Sequence, residues 1–378
     1  MPKNADVPDG HTKLLGKGGY ADENAAMRAL LEAIEARDAG TPTPEGQAPT
    51  VKAYANQWVD GLNGDDLAGS TIDGYRRHVV KHIAPALGHI RLDKLTPTRI
   101  AVFYRELRAA GNKRRDNEGG PLSSNTVNKI RVTLTAILTA AVEDGWLKSN
   151  PAQAKAARKA APRPARVRAE RPEIVTWDAS TLRAFLNWSR DRDDELFTLW
   201  HTIAATGMRR SEALALKWQD IDFRNGRISV RRAVDTSKRD KTKSTKTDKP
   251  RVVSITEADV AVLKALKALR GSVALDLARR DAYVFGLPDG RLRRPDSVSA
   301  MWTRRVIWFT EGRDIPKISL HDLRHTHATI LLGVGEHPKV VQERLGHTTI
   351  ATTMDLYSHV TETMQRSAAE RFAMLLNG

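Results

Sequence analysis

The sequence contains no cysteine, and this absence removes several kinds of protein chemistry at once. Without thiols the chain can form no disulfide bond, offers no thiolate nucleophile, and builds neither an iron–sulfur cluster nor a zinc finger with cysteine ligands. Any metal ion would have to be held by histidine or carboxylate side chains.

Long uncharged stretches are equally scarce. The longest runs from Leu196 to Met208 and is too short to cross a lipid bilayer, and the polar first residues MPKNADVPDGH lack the apolar core of a secretory signal. We therefore expect a cytoplasmic protein with no membrane partner.

Acidic residues are outnumbered by basic ones. The chain has 61 Lys and Arg residues against 45 Asp and Glu residues, which gives a formal net charge of +16 at pH 7. A surplus of this size draws a protein toward polyanions, and nucleic acid is the first candidate partner. The length of 378 residues predicts two or three domains with substantial cores.

The N-terminal region has the pattern of a fragment of a small module. Glycines and Tyr20 precede a run whose apolar residues recur at amphipathic helical spacing, namely Met27, Leu30, Leu31 and Ile34. The segment TPTPEGQAPT, residues 41–50, is rich in threonine and proline and is typical of a linker. We place a partial module at residues 1–45.

Residues 50–150 have the periodicity of four or five short helices, which predicts an all-α domain. The last helix starts at Ser124 or Thr126, and its apolar face is wider than a solvated helix needs. We expect this face to be core, with Val127, Ile130, Val132, Leu134, Ile137 and Leu138.

Residues 151–172 form a basic segment that we interpret as a linker. Glu170 is the only counter-charge to its basic side chains, which are Lys155, Arg158, Lys159, Arg163, Arg166, Arg168 and Arg171. Such a segment is either a solvated tether or a flexible clamp hinge that gains affinity for a phosphate backbone by counterion release. The two interpretations are compatible.

Residues 173–378 mix helices with a few strands, which predicts a mainly helical α+β domain with a small antiparallel sheet. Helices are expected near 180–190 and 193–205. The segment DIDFRNGRISVRRAV is then typical of two strands around an Asn225-Gly226 hairpin turn, and PRVVSI of a third strand.

Four short segments of this last region carry polar side chains at spacings that folding alone does not require. In TGMRRSEALAL, Gly207 permits a tight turn after one helix and Ser211 can cap the next. Arg209 lies at the junction, where its guanidinium can point out of the fold. Taken alone, such an arginine is more often a surface or structural residue.

The second segment, ISLHDLRHTHATILL, has the pattern of a capped helix start. Ser319 and Asp322 form a capping box, so His321 and Arg324 share one face close to the helix N-terminus. A helix N-terminus favours anions.

The histidines of this segment offer two alternatives. His321 and His325, at i and i+4, could bind one metal ion with His327 nearby, although no carboxylate ligand completes the site. A histidine-rich cap without a functional role is the other alternative. We expect no metal.

The third and fourth segments add a tyrosine and several lysines. ERLGHTTIATTMDLYSHV places His347 and Tyr357 ten residues apart around a Thr-rich, turn-prone stretch, where a tyrosine could also be a half-buried aromatic. SKRDKTKSTKTDKPRVVSI is a lysine-dense hairpin between two strands, and composition does not rank its lysines.

Together the four segments supply an inventory suited to phosphoryl transfer without a metal. Arginine forks bind phosphate oxygens and stabilise the charge that develops on them. A phenol has a pKa of about 10, so a tyrosine nucleophile needs a base or a strongly cationic pocket. Histidine and arginine supply both.

In the order Arg, Lys, His-x-x-Arg, Leu-Gly-His and Tyr, the chain resembles the tyrosine recombinases, the phage-integrase family of site-specific recombinases. The resemblance implies a SAM-like helical core-binding domain at 50–150 and a catalytic domain at 173–378. It also implies that residues 1–45 are a partial arm-type DNA-binding module.

The same resemblance assigns roles to individual residues. Arg209 and Arg324 would hold the scissile phosphate, and Tyr357 would be the nucleophile. His321 would assist proton movement at the tyrosine, and His347 matches the family's His/Trp position.

Two further positions follow from the resemblance. Glu212 matches an acidic position that supports the active site from behind. Lys246 stands before the strand PRVVSI at the family's usual distance and would protonate the leaving oxygen. Ser254 replaces the customary proline, and the loop holds competitors for this role in Lys241, Lys243 and Lys249.

The implied reaction is attack by Tyr357 on a DNA phosphate, which gives a 3′-phosphotyrosine link and a free 5′-hydroxyl without ATP, metal or other cofactor. Four protomers would exchange strands between two double-stranded attachment sites through a Holliday junction, and accessory DNA-bending or directionality factors are possible partners. The amphipathic run TMQRSAAERFAMLLNG would dock on a neighbouring protomer, with packing in cis as the alternative.

Three other functions remain open from the sequence. A type IB topoisomerase would use a similar pocket to relax one duplex as a monomer. A DNA-binding regulator would share the basic surface but have an inert pocket, and a metal-dependent nuclease would need a divalent ion.

Overall fold

The computed structural model describes residues 22–38, 46–62, 67–113, 117–236, 241–244 and 250–357, together with positions 370, 372–374 and 376. The chain divides into two compact units. The first comprises residues 1–66 and 74–171, and the second comprises residues 67–73 and 172–378.

Helix α1, Glu23–Asp38, confirms the helix expected in the N-terminal region. It is capped by Asp22, whose carboxylate accepts the backbone N–H of Ala25 at 2.7 Å. Its apolar residues Met27, Leu30 and Leu31 are each more than half exposed. Residues 41–45, the first half of the expected Thr/Pro-rich linker, lie outside the described residues.

The helices expected between residues 50 and 150 are present. They are α2 Val51–Gly61, α3 Gly69–His78, α4 Ala84–Leu87, α5 Pro97–Ala110 and α6 Ser124–Glu143, with a π-helical turn at Val79–Ile83 and a 3-10 turn at Leu92–Lys94. Thr50, Thr96 and Ser123 begin α2, α5 and α6, because each side-chain oxygen accepts a backbone N–H three residues later.

Helix α6 supplies much of the first unit's core. Five of the residues expected on its apolar face are completely buried: Val127, Ile130, Leu134, Ile137 and Leu138. Val132 is the exception, with 44% of its surface exposed. It lies two residues from both Ile130 and Leu134, a spacing of about 200° around the helix that places it on the side opposite the buried face.

The interpretation of residues 151–172 as a linker is wrong for most of that segment. Residues 151–169 form a 3-10 turn, Pro151–Gln153, and two short helices, α7 Lys155–Ala160 and α8 Pro164–Ala169. Alanines face inward, since Ala152, Ala157 and Ala161 are buried, while helix α7 packs against α5 and α8 against α6. The basic side chains therefore belong to a folded part of the first unit and not to a flexible tether.

The second unit is mainly helical, as expected. Its helices after residue 172 are α9 Ala179–Arg190, α10 Phe197–Thr206, α11 Arg210–Leu214, α12 Glu257–Val273, α13 Pro295–Thr310, α14 Leu320–Gly333, α15 Pro338–Leu345 and α16 Ile350–Tyr357. Its strands are β1 Ile221–Asp222, β2 Arg227–Val230, β3 Arg232–Val234, β4 Thr242–Ser244 and β5 Arg251–Ser254.

The strands form a small antiparallel arrangement. β1, β2 and β5 make one sheet in that order, with Ile228 of β2 opposite both Ile221 and Val253. The expected hairpin turn is confirmed, because Gly226 has a φ of 59° between β1 and β2. β3 and β4 pair separately, with Ala233 opposite Lys243.

An aromatic core holds α9, α10 and α13 together. The ring of Trp302 contacts that of Phe185 at a centroid distance of 4.9 Å and that of Trp200 at 5.2 Å. Trp177 and Phe309 pack beside them. The indole of Trp302 donates to the carbonyl oxygen of Ile318 at 2.9 Å. This bond ties the core to the start of α14, where two of the candidate site residues lie.

In the part of the chain that the structure describes, the helices lack the combination of length and hydrophobicity that a membrane crossing requires.

Candidate active site

The chain turns sharply between α10 and α11, and this turn carries Arg209. Gly207 ends α10 with a φ of 63°, as expected for a residue that permits a tight turn. A Cβ there would lie 2.5 Å from a methyl carbon of Leu345 and 2.7 Å from the ring of His327. The turn thus needs glycine both for its backbone angle and for space.

Ser211 is not the cap of α11, contrary to the expectation from the sequence. The helix begins at Arg210 with Arg209 as its N-cap residue, and the carboxylate of Glu212 accepts the backbone N–H of Arg209 at 2.9 Å. At the N-terminus of this helix, the carboxylate of Glu212 therefore accepts the backbone N–H, and the hydroxyl of Ser211 does not act as the cap.

Glu212 is buried and accepts four hydrogen bonds. One oxygen accepts from Nη1 of Arg209 at 2.8 Å and from Nη1 of Arg251 at 3.1 Å. The other accepts from Nη2 of Arg251 at 2.6 Å, besides the backbone N–H of Arg209. Burial alone would raise the pKa of Glu212, but the bonds and charges of Arg251 and Arg209 outweigh it and lower that pKa to about 2.

Arg324 is a fully buried arginine at the start of α14. The capping box expected here is confirmed, with Ser319 accepting the N–H of Asp322 and Asp322 accepting that of Ser319. Nη1 of Arg324 donates to the carbonyl oxygen of Gly207 at 2.6 Å, and Nη2 donates to that of Leu345 at 2.7 Å. Burial, then the charge of Arg209, lowers the pKa of Arg324 to about 9, so it stays protonated at neutral pH.

His321 lies three residues before Arg324 and is exposed toward a cleft. Its ring meets that of His325 edge to face, with the centroids 4.7 Å apart. Loss of hydration and then the charge of Arg324 lower the pKa of His321 below its ordinary 6.5, although Asp322 acts in the opposite direction. The imidazole is therefore neutral at pH 7 and able to accept a proton.

His347 follows the turn at the end of α15. That helix ends at Leu345, and Gly346 has a φ of 66°. The carbonyl oxygen of Gly346 accepts from Nη2 of Arg209 at 3.2 Å. The turn after α15 is therefore bonded directly to the turn between α10 and α11. Burial, followed by the charges of Arg324 and Arg209, lowers the pKa of His347 to about 3.

The Thr-rich stretch between His347 and Tyr357 bends at Thr348 and Thr349, as a turn-prone stretch should, but from Ile350 onward it is helical. Helix α16 buries Thr353 completely, and its hydroxyl oxygen lies 2.9 Å from Nδ1 of His347. The helix ends at Tyr357, whose side chain lies outside the described residues.

The lysine loop is described only in part. Lys246, the proposed general acid, and its competitor Lys249 lie outside the described residues. Lys241 is exposed just before β4, and the backbone of Lys243 lies within β4.

The segments that carry Arg209 and His321 meet at a cleft of about 390 Å³. Its lining includes Arg209, His321 and the hydroxyl-bearing residues Ser211 and Ser319. Arg324 lies close enough to His321 and His347 for its charge to lower the pKa of both. Four residues expected from the sequence, Arg209, His321, Arg324 and His347, thus lie in segments that hydrogen bonds hold together, with Glu212 bonded to Arg209.

Three residues of the site were not predicted from the sequence: Arg251, Arg344 and Thr353. Nε of Arg251 donates to the carbonyl oxygen of Arg344 at 2.9 Å, while Arg344 itself donates to Nε2 of His327 at 3.1 Å and to the carbonyl oxygen of Ala205 at 2.7 Å. The available signal was position alone, because Arg344 directly precedes Leu-Gly-His and Arg251 begins β5.

The alternative of a zinc site finds no support in the described geometry. Nδ1 of His327 lies 2.7 Å from the carbonyl oxygen of Ala204, and its Nε2 accepts from Arg344, so both ring nitrogens are engaged away from His321. Among the described residues no group of three or more His, Asp or Glu side chains could hold a metal ion.

Two family models match the chain. The phage integrase family model matches residues 178–364, and the model of the phage integrase N-terminal SAM-like domain matches residues 50–108. The chain belongs to the phage integrase family. The resemblance drawn from its motifs is confirmed: this tyrosine recombinase is a DNA breaking-and-rejoining enzyme, and the topoisomerase and regulator alternatives are not favoured.

Similar proteins span most of this integrase-family chain. The ICEBs1 integrase of Bacillus subtilis (strain 168) is 29% identical over 78% of this chain and 75% of its own length. An integrase of Saccharopolyspora erythraea is 22% identical over 93% of this chain and 88% of its own.

Solved structures share the fold. The Tn1549 transposon integrase in complex with transposon right end DNA has a TM-score of 0.67 at 20% identity, covering 86% of this chain and 99% of that one. A lambda integrase tetramer bound to a Holliday junction has a TM-score of 0.59 at 16% identity, covering 90% and 88%. A SAM-like helical domain together with a mainly helical catalytic domain is the fold of this tyrosine recombinase.

Proposed function

We propose that this recombinase cleaves each DNA strand with Tyr357 and holds it as a 3′-phosphotyrosine until another strand's 5′-hydroxyl attacks. The observation that carries the proposal is that hydrogen bonds join the segments of Arg209, Arg324 and His347 directly, while Arg209 and His321 line one cleft. Helix α16, bonded to His347 through Thr353, leads directly to Tyr357.

The two arginines bind the scissile phosphate in this proposal. Arg324 is held by two carbonyl oxygens, and Arg209 by Glu212 and the carbonyl oxygen of Gly346, so both charges are in place before DNA arrives. Preorganised charge of this kind stabilises a transition state without reorganisation when the reaction occurs.

The histidines and the lysine manage protons and hydrogen bonds. Neutral His321 assists removal of the proton from the phenol of Tyr357 as the oxygen–phosphorus bond forms. His347, with Nδ1 beside Thr353, keeps Nε2 available to donate to a phosphate oxygen. Lys246 donates a proton to the departing 5′ oxygen, with Lys243 as the alternative donor.

The assembly we propose follows the same family pattern. Residues 50–150 contact the core of a double-stranded attachment site, 173–378 perform the chemistry, and 1–45 act as a partial arm-binding module. Four protomers join two cytoplasmic DNA sites through a Holliday junction, and DNA-bending or directionality factors assist. The lambda integrase tetramer on a Holliday junction and the Tn1549 integrase on transposon-end DNA support this arrangement.

Covalent capture tests the nucleophile. Purified protein is incubated with nicked duplexes of randomised sequence, and adducts that survive denaturation are isolated and sequenced to obtain a preferred site. Wild type and Tyr283→Phe should form the adduct on that site, whereas Tyr357→Phe should bind the DNA and form none. An adduct of unchanged yield in Tyr357→Phe would overturn the assignment.

Two further measurements separate this function from its alternatives. Joining of two duplexes that carry the captured site is expected, and efficient supercoil relaxation without any joining would favour a topoisomerase. Full adduct formation in excess chelator is also expected, since no proposed step uses a metal. Loss of the adduct that a divalent ion restores would favour a nuclease.

A further inference from the structure

One arginine beside the cleft has no role in the mechanism above. Arg251 lies at the start of β5, with only 12% of its side chain exposed, and donates from all three of its guanidinium nitrogens. Two of them bond the oxygens of Glu212, and Nε bonds the carbonyl oxygen of Arg344.

We infer that Arg251 is a positioning residue: it fixes Glu212 against Arg209, supports the turn that carries His347, and offsets the negative charge of Glu212. This inference rests on the proposed function. It adds a residue that acts on the phosphate through Arg209 and the turn, without contacting the DNA itself.

Arg209, Glu212, Arg251 and Arg324 form one group of interacting charges, since the first three all act on the pKa of Arg324. Arg209 and Arg324 each carry one positive charge, and Glu212 carries one negative charge within 2.8 Å of the Arg209 guanidinium. Glu212 stays ionised at neutral pH because its pKa is about 2. Without Arg251, the charges of Arg209, Arg324 and Glu212 would sum to about +1. With Arg251 included, the sum is about +2.

The guanidinium of Arg251 also packs against the turn after α15. A Cβ on Gly346 would lie 3.0 Å from Cδ and from Nη1 of Arg251, so this glycine and the guanidinium are in direct contact. The same residue's Nε holds the carbonyl oxygen of Arg344, two positions earlier. A planar fork can make these bonds simultaneously with both oxygens of Glu212, and a lysine ammonium cannot.

A double-variant cycle tests whether the charge of Arg251 matters. Single-turnover cleavage of a nicked duplex that carries the captured site is measured for wild type, Arg251→Gln, Glu212→Gln and the double variant. Arg251→Gln should cleave at least about tenfold more slowly than wild type. Adding Glu212→Gln should recover at least about threefold of that loss, because the net charge returns to that of wild type.

A structural role without the charge effect gives a different result. Removal of both partners would then leave the double variant as slow as Arg251→Gln, or slower, and this outcome would overturn the inference. A rate for Arg251→Gln within twofold of wild type would overturn it as well. Arg251→Lys, which keeps the charge without the fork, should cleave at a rate between those of Arg251→Gln and wild type; equal rates for the two variants would refute the charge effect.

Arg305 provides a matched control. It pairs with Asp194 in the same unit, with 13% of the Arg305 side chain and 6% of the Asp194 side chain exposed, against 12% and 3% for Arg251 and Glu212. Its hydrogen bonds go to Asp194 and Met301, so Arg305→Gln should lose stability in a thermal melt but keep the cleavage rate of its folded fraction. Absence of an adduct with wild-type protein would instead count against the proposed function.

Discussion

Nδ1 of His347 lies 2.9 Å from the hydroxyl oxygen of Thr353, a residue with no exposed surface on the helix that ends at Tyr357. One hydrogen bond therefore joins His347 to the element that carries the proposed nucleophile. The orientation of the imidazole and the position of α16 are set together.

Replacing Thr353 with valine removes this bond but keeps the shape of the side chain. We expect the free energy of unfolding to fall by about 1 kcal/mol, since a buried hydrogen bond is lost. Single-turnover cleavage should slow by roughly five- to tenfold as His347 loses its orientation. Exposed Thr352, changed to valine, is the control for both measurements, and equal slowing in the two variants would refute the role of this bond.

The lowered pKa of His321 predicts the acidic limb of the pH–rate profile. At pH 7 the kcat/KM of the free enzyme should not depend on the protonation of His321. It should fall only below pH 6.5, the ordinary pKa of histidine, where the imidazole becomes protonated. His321→Gln should reduce the rate by about 100-fold and abolish that limb. The same limb in the variant would exclude His321 as the proton acceptor, and exposed His89 serves as the comparison.

Buried His327 makes stability depend on pH. Burial, then the charge of Arg344, lowers its pKa from 6.5 to about 4, so between these values the unfolded chain binds a proton that the folded chain does not. Stability should therefore be constant with respect to this group above pH 6.5 and fall toward acid, by up to about 1.4 kcal/mol per pH unit. Denaturant unfolding of His327→Gln between about pH 4.5 and 6.5 should show a correspondingly flatter dependence. An unchanged slope contradicts the prediction.

Gly207→Ala should be strongly destabilising. The new methyl would meet Leu345 and His327 at under 3 Å, and the left-handed backbone conformation is unfavourable for alanine. We expect a loss of about 2 to 4 kcal/mol in the free energy of unfolding. Gly74→Ala in α3, where a Cβ meets nothing within 4 Å, should instead gain about 0.5 to 1 kcal/mol in the same experiment. Equal changes in the free energy of unfolding at the two glycines would contradict this prediction. They would show that the φ angle and the close neighbours of Gly207 do not exclude alanine at this turn.

The sequence predicted features whose cause is local. The capping box of Ser319 and Asp322 and the hairpin turn at Gly226 depend on residues no more than a few positions apart, and both are present. The motif residues were recognisable because their chemistry is distinctive at fixed spacing. Arg209, His321, Arg324 and His347 accordingly lie in segments that hydrogen bonds hold together.

Other features depend on partners far away in the chain. Nothing in PRVVSI shows that Arg251 reaches Glu212, 39 residues earlier, or the carbonyl oxygen of Arg344, 93 residues later. The segment at 151–169 was misread for a similar reason. Its composition is basic, but three small alanines decide its packing, and their burial needs α5 and α6 as partners.

The bonds of Arg324 to the carbonyl oxygens of Gly207 and Leu345 have a consequence for protein synthesis. Gly207 and Leu345 lie toward opposite ends of the catalytic region. The guanidinium of Arg324 therefore cannot make both bonds until the ribosome has translated Leu345. A nascent chain that stops before Leu345 lacks one of the two carbonyl oxygens that hold Arg324, so its anion pocket is not assembled.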